Sequence, residues 1–321
     1  MLRVLWTGTF YSLASVAGAG EFRLEMPVDC DLGETCFIQQ YVDHAEGPGA
    51  LDFTCGPLVY DTHTGTDFAL PSLVAMQTGV DVLASAGGTV RGVRDGMRDV
   101  IFSSENTNDI AGRECGNGVV LVHPGGWETQ YCHLKNASVK VTVGQVVQAG
   151  DVLGQIGLSG QTEFPHLHLS VRRDGQHIDP FAPNPISECG EMPTQTLWET
   201  PIDYVPGGII SAGFSDTVPE FVDIKSGVAS SPLVRDPDAL VAWVYMFGGQ
   251  RGDTLLLEID GPNGVFHRAR VPLDRTQAQL FRASGKRRPE EGWASGPYSA
   301  FFRLIRDRAV IDERQLSITL P

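Results

Sequence analysis

Between residues 61 and 183 the chain consists of short β-branched or apolar runs separated by glycine turns, with hardly any stretch that keeps a helical period. Runs this short cannot lay down the apolar stripe that a helix buries, so the segment is confined to compact all-β structure. Residues 81–84, 89–93, 119–123, 129–134 and 167–172 fit strands. In 139–157 apolar residues gather around Gly144, Gly150 and Gly154, where glycine suits the tight corners of a folded sheet.

The pattern divides the rest of the chain. At 321 residues it exceeds the roughly 100–200 of a single domain. Residues 1–19 carry one basic residue, Arg3, then no charge, and end in small residues with Ala17 and Ala19 spaced A-x-A; this reads as a secretory signal peptide cut near Ala19. The stretch is interrupted by Thr7, Gly8, Thr9 and Ser12 and falls short of the roughly 20 apolar residues a membrane span needs. Residues 20–60 hold Cys30, Cys36 and Cys55 with little periodicity and read as a stapled extension, 61–186 as the first β domain, and 187–200 as a linker. Strands return in 201–321, at 208–214, 239–247, 254–260, 265–271, 299–306 and 315–320, with a hairpin turn at Asp260-Gly261-Pro262-Asn263-Gly264. So many short strands favour a β-sandwich of immunoglobulin or fibronectin-III type.

Six cysteines in a chain that reads as exported make three disulfides the natural expectation. The first pairing is Cys115 with Cys132, which flank two apolar runs joined by Pro124, Gly125 and Gly126, as in a hairpin. No C-x-x-C pair exists to suggest a cysteine zinc site. A net charge of −15 repels phosphate backbones and argues against nucleic acid as a partner. The one basic run, 282–288, is followed at once by Pro289, Glu290 and Glu291 and reads as a solvated loop.

Three segments carry chemistry: His63-Thr64-Gly65-Thr66-Asp67, Tyr131-Cys132-His133-Leu134 and His166-Leu167-His168-Leu169-Ser170. Strand alternation puts His166, His168 and Ser170 on one face, with Leu167, Leu169 and Val171 on the other. The same parity groups Tyr131 with His133, opposite Cys132 and Leu134. A catalytic zinc takes three nitrogen or oxygen ligands and keeps an open position, which two histidines and an aspartate satisfy. Such a metal lowers the pKa of bound water to about 7. The two histidines left over can accept that water's proton or stabilise the oxyanion formed on an attacked carbonyl. A single histidine in a strand is ordinarily a hydrogen-bonded structural residue; five such residues in three strand-like segments make coincidence the weaker reading. The residues alone leave open whether His166 or His168 is the ligand.

The run HTGTDFAL resembles the H-x-G-x-D segment of the lysostaphin/LytM family of zinc peptidases. GNGVVLVHPGGWETQYCHL and HLHLSVRRDGQHIDP resemble its two later motifs in order and spacing, over roughly residues 61–183. The resemblance implies a small β-sheet fold of barrel-sandwich type with a groove, one Zn2+ per chain, and hydrolysis of stem or cross-bridge peptides in peptidoglycan. It implies zinc ligands at His63, Asp67 and His168, with His133 and His166 as the catalytic histidines. Leu169-Ser170 stands where Phe-Glu is common, and Cys132 replaces a frequent small residue. Some relatives are inactive activators that have lost metal ligands, whereas this chain keeps every one. His123 sits at a family-like position at the end of a strand and is read as structural rather than as lining the groove, while His44, His177 and His267 are read as solvated or hydrogen-bonded.

The leading expectation is therefore a zinc metalloendopeptidase of the periplasm or extracellular space, acting on peptidoglycan, with no nucleic-acid partner and no membrane span. The alternative is a non-catalytic wall-binding or hydrolase-activating module that keeps a zinc site. A third, weaker reading is a peptidase acting on a protein outside the wall.

Overall fold

Strands make up almost all of the regular structure, as short apolar runs between glycine turns require. The computed structural model describes residues 21–184, 189, 192–230 and 236–321. The signal-peptide reading of 1–19 and part of the linker reading of 187–200 lie outside the described residues.

The first part contains β1 (Phe37–Gln40), β2 (Thr66–Ala69), β3 (Asp81–Leu83), β4 (Gly88–Arg94), β5 (Asn117–Val122), β6 (Trp127–Leu134), β7 (Val146–Val147), β8 (Val152–Gln155), β9 (His166–Arg173) and β10 (Gln176–His177). An eight-stranded sheet runs in the order β1-β2-β9-β6-β5-β4-β7, with β10 added on β9, while β3 and β8 pair separately. One face of this sheet buries Phe68, Leu167, Leu169, Val171, Tyr131, Val119 and Leu121 in a common apolar cluster. The edge strand β1 comes from the cysteine-containing extension. It pairs Ile38 with Phe68 and Gln40 with Asp67, so residues before 61 complete the sheet.

Three disulfides are present, Cys30–Cys36, Cys55–Cys189 and Cys115–Cys132, the last across the β5–β6 hairpin as expected.

The second part contains β11 (Gly208–Ser215), β12 (Ala239–Gly249), β13 (Thr254–Gly261), β14 (Gly264–Pro272), β15 (Gln277–Arg287), β16 (Gly296–Arg306) and β17 (Ala309–Leu320). They form a three-stranded sheet, β11-β12-β15, and a four-stranded sheet, β14-β13-β16-β17. Both sheets contribute to a second apolar cluster, so the chain is mainly β throughout. The expected turn closes the β13–β14 hairpin, with Gly264 at φ 96°, a conformation that glycine adopts without strain. The basic run is corrected: residues 282–287 lie not in a loop but in β15, where Arg282 pairs with Val244 and Lys286 with Leu240, and only Arg288 follows the strand. Long aliphatic stems allow charged residues to serve in a strand while the charged end stays accessible. The Lys286 ammonium also sits 5.6 Å above the Phe266 ring.

Strand β12 is buried along almost its whole length. Leu240, Ala242, Val244 and Met246 belong to the second cluster, whereas Trp243, Tyr245 and Phe247 belong to the first. Side chains alternate across a strand, so a run apolar at every position is suited to burial on both faces.

Near the join, the Arg306 guanidinium donates to both carboxylate oxygens of Asp253, at 2.9 and 2.8 Å, and to the carbonyls of Pro206 and Gly248. The Asp253 side chain is only 1% exposed. Removing one member of a buried pair strands the other charge at a cost of about 3–5 kcal/mol. Asp253→Ala is therefore expected to lower the stability measured by urea unfolding by about that amount.

Candidate metal centre

The face of the large sheet opposite its apolar core is built by register. Asp67 on β2 pairs with His168 on β9, which pairs with Cys132 on β6, while Ala69 pairs with His166. Directly paired residues point to the same side, so this row sets Asp67 beside His168. His63 lies just before β2. Gly65 lets it approach, because a Cβ there would fall 2.6 Å from His168 Nε2.

His133 arrives by a different route from the one strand parity predicts. Tyr131 pairs with Leu169 and is buried in the apolar core, not on the site face. Between Asn117↔Leu134 and Val119↔Tyr131 the register slips by one residue, so Cys132 and His133 together oppose Gly118. His133 adopts φ 62°, a left-handed backbone that few side chains take up. Such a β-bulge re-aims one side chain, here turning His133 off the core face towards the site.

The structure thus brings all five predicted residues together. His63 Nε2 lies 3.2 Å from Asp67 Oδ1 and 3.1 Å from His168 Nδ1, and His168 Nδ1 lies 2.9 Å from Asp67 Oδ1. His166 Nε2 is 3.5 Å from the same carboxylate oxygen. The His133 ring lies 4.7 Å from that of His166 and 6.0 Å from that of His168, centre to centre.

Backbone carbonyls orient the rings. Nδ1 of His63 donates to Tyr41 O at 2.6 Å, that of His133 to Ser159 O at 2.8 Å, and that of His166 to Phe164 O at 2.9 Å. Each of these bonds leaves Nε2 as the free ring nitrogen, and those of His63 and His166 face the Asp67 carboxylate. His168 is turned the other way: its Nε2 meets Ser170 Oγ at 3.0 Å, so Nδ1 faces inward. Ser170, the departure from the family motif, thereby acts as an orienting partner.

Burial alone would raise the Asp67 carboxyl, but the His63 and His166 imidazoles hold it well below the usual carboxylate range. Burial pulls His63 down, and the Asp67 charge and hydrogen bond outweigh it, so His63 is raised. Burial lowers both His133, with the His166 and His168 rings adding to the effect, and His166. Both rings are therefore neutral near pH 7.

His63, Asp67 and His168 each offer one donor atom, all within 4.8 Å of one another. Two imidazole lone pairs and a carboxylate oxygen facing one point form a set that a cation satisfies. The pairwise distances approach the roughly 3.3 Å between ligand atoms that zinc bond lengths imply for a tetrahedral site. Of the other histidines, His123 is bonded at both nitrogens, to Gly87 O and Thr129 Oγ1, and His44 meets Asp179. The orienting carbonyls of Tyr41, Ser159 and Phe164 are backbone groups with no signature in sequence.

Residues 61–180 match the family described as Peptidase family M23. The chain is 33% identical over 135 residues to the DD-carboxypeptidase/endopeptidase Mpg of Neisseria meningitidis serogroup B, covering 40% of this chain and 29% of that protein. It is 38% identical over 92 residues to the glycyl-glycine endopeptidase ALE-1 of Staphylococcus capitis, covering 28% of this chain and 23% of that protein. These matches span less than a third of the length of either relative. Among solved structures, a point mutant of the catalytic domain of the prophage-encoded M23 protein EnpA from Enterococcus faecalis is 24% identical with a TM-score of 0.30. That match covers 44% of this chain and 88% of the crystallised catalytic-domain chain. The match to Peptidase family M23 thus falls on the stretch that supplies all five residues of the site, His63, Asp67, His133, His166 and His168.

Proposed function

We propose that the chain is an exported zinc-dependent endopeptidase that hydrolyses peptide bonds in the stem or cross-bridge peptides of peptidoglycan. The observation that carries this reading is the convergence of His63, Asp67 and His168 on one point, beside two neutral, backbone-oriented imidazoles. In this reading residues 61–186 form the peptidase domain, 20–60 an extension that completes its sheet, and 201–321 a β-sandwich. The three disulfides support export to the periplasm or beyond.

His63 Nε2, Asp67 Oδ1 and His168 Nδ1 would hold one zinc ion. Zinc bound there supplies a Lewis acid that makes water acidic at neutral pH and polarises a carbonyl. His133 Nε2, its ring fixed by Ser159 O, accepts a proton from the attacking water. His166, fixed by Phe164 O, has its Nε2 free, and once that atom has taken up a proton it donates to the developing oxyanion. As the carbon–nitrogen bond breaks, a proton passes from the protonated imidazole to the leaving amine. Burial keeps both rings neutral, so each enters the reaction with an unprotonated nitrogen.

Purified full-length chain should release free amines from isolated peptidoglycan, lose that activity with a chelator and regain it with added Zn2+. Mass spectrometry of the fragments identifies the bond cut. Stoichiometric zinc binding without hydrolysis of any wall preparation would overturn the reading in favour of a non-catalytic wall-binding or hydrolase-activating module.

A further inference from the structure

We infer that the Cys115–Cys132 disulfide positions His133, so that the peptidase is fully active only while this bridge is oxidised; the inference rests on the role proposed above for His133. Cys132 directly precedes His133 in the bulge, and Cys115 accepts the His133 backbone N–H through its carbonyl at 2.8 Å. The bridge therefore grips the left-handed residue from both sides: through the chain on one, and through the carbonyl acceptor of its amide on the other.

The turn after Cys115 is fitted to the same task. A Cβ on Gly116 would fall 2.3 Å from Ser159 O, the carbonyl that orients the His133 ring. A Cβ on Gly118 would fall 2.6 Å from Tyr131 O and 3.0 Å from Cys115 Sγ, so Gly118 leaves the space the bulge and the sulfur occupy. The Asn117 N–H donates to Ser159 Oγ at 2.9 Å, tying this turn to the segment that carries the ring's acceptor. Without the bridge, nothing covalent keeps the Cys115 carbonyl on the His133 amide, and the strained φ of 62° loses the partner that selects it. A regular β5–β6 pairing would turn the imidazole away from the site.

The two sulfurs differ in access: Cys132 is buried, whereas Cys115 is half-buried, so a small reductant has a sulfur to attack. Reduction by a phosphine adds two electrons and two protons to give two thiols, while the phosphine takes oxygen from water and becomes its oxide. Reoxidation by a disulfide-exchange reagent restores the bridge.

The test uses the full chain on a defined cross-linked muropeptide. Cys115→Ala/Cys132→Ala is expected to lower kcat by about a hundredfold, the scale of an ångström-sized misplacement. KM should stay within about twofold and zinc at one per chain, while hydrogen exchange at the His133 amide becomes faster. Tris(2-carboxyethyl)phosphine should bring the wild type to the same kcat, reversibly, and leave the double variant unchanged. A variant without the Cys30–Cys36 bridge should respond as the wild type does. Wild-type kcat in the double variant, or a His133 amide that stays protected after reduction, would overturn the inference. Should the double variant not fold, the reversible reduction arm decides. If the oxidised wild type hydrolyses nothing, the proposed function fails, and hydrogen exchange still judges the positioning.

Discussion

Asp67→Ala is expected to weaken zinc binding by more than about a hundredfold and to abolish measurable hydrolysis. Altering a partner that merely orients a ligand already costs about 10–100-fold in metal affinity, and losing a ligand costs more. Asp67 supplies the only negative charge of the proposed set, is 2% exposed, and lies within 3.5 Å of three imidazoles. Its charge raises the proton affinity of His63, and the same field would draw a divalent cation to the triangle. Alanine removes both charge and donor atom; asparagine keeps the shape and loses the charge, so it should fall between. Competition with a chromophoric chelator measures the affinity, and thermal melting checks that the fold survives. Alanine at Asp67 with wild-type zinc affinity would refute the proposed ligand set.

His133→Ala acts on the other half of the chemistry. It is expected to lower kcat by about 10²–10⁴-fold, the range for a lost acid–base group, while zinc content stays at one per chain. The ring contributes no donor atom to the metal triangle, so affinity for the ion should not move. Because position 133 sits at positive φ, His133→Asn is the control for backbone effects, since asparagine tolerates that conformation. Both variants should be equally slow if the imidazole is what matters. His166→Ala should be comparably slow, and the double variant little worse, because groups that act as a unit are not additive. Steady-state kinetics on defined muropeptides, with zinc quantified on the same samples, separates these outcomes.

Much of the site is legible in the residues. Strand alternation sets His166 and His168 on one face of β9 and the leucines on the other, and the register of β2 against β9 fits that reading. The H-x-G-x-D spacing is visible too, with its glycine explained by the ring of His168 lying where a Cβ would be. Parity fails at His133, because it assumes unbroken pairing and a bulge adds one residue that no local composition announces. The carbonyls that orient the rings are out of reach for another reason: any residue type can supply one. In the C-terminal part, charge suggests solvent for 282–288, yet the hydrogen-bonding demand of β12 recruits that run as its partner. The four residues of β1 are too few to display an alternating pattern, and the extension gives no sign in sequence that it finishes the sheet.

The strand that faces apolar neighbours on both sides bears on how this chain can be dissected or inherited. Trp243, Tyr245 and Phe247 are as much a part of the first core as of their own sheet. A cut in the segment before β11 would leave a raw hydrophobic wound on the N-terminal half and another on the severed half. The two halves are thus not freely exchangeable cassettes: a graft of the N-terminal half onto a new tail would have to bring a substitute for these three aromatic rings.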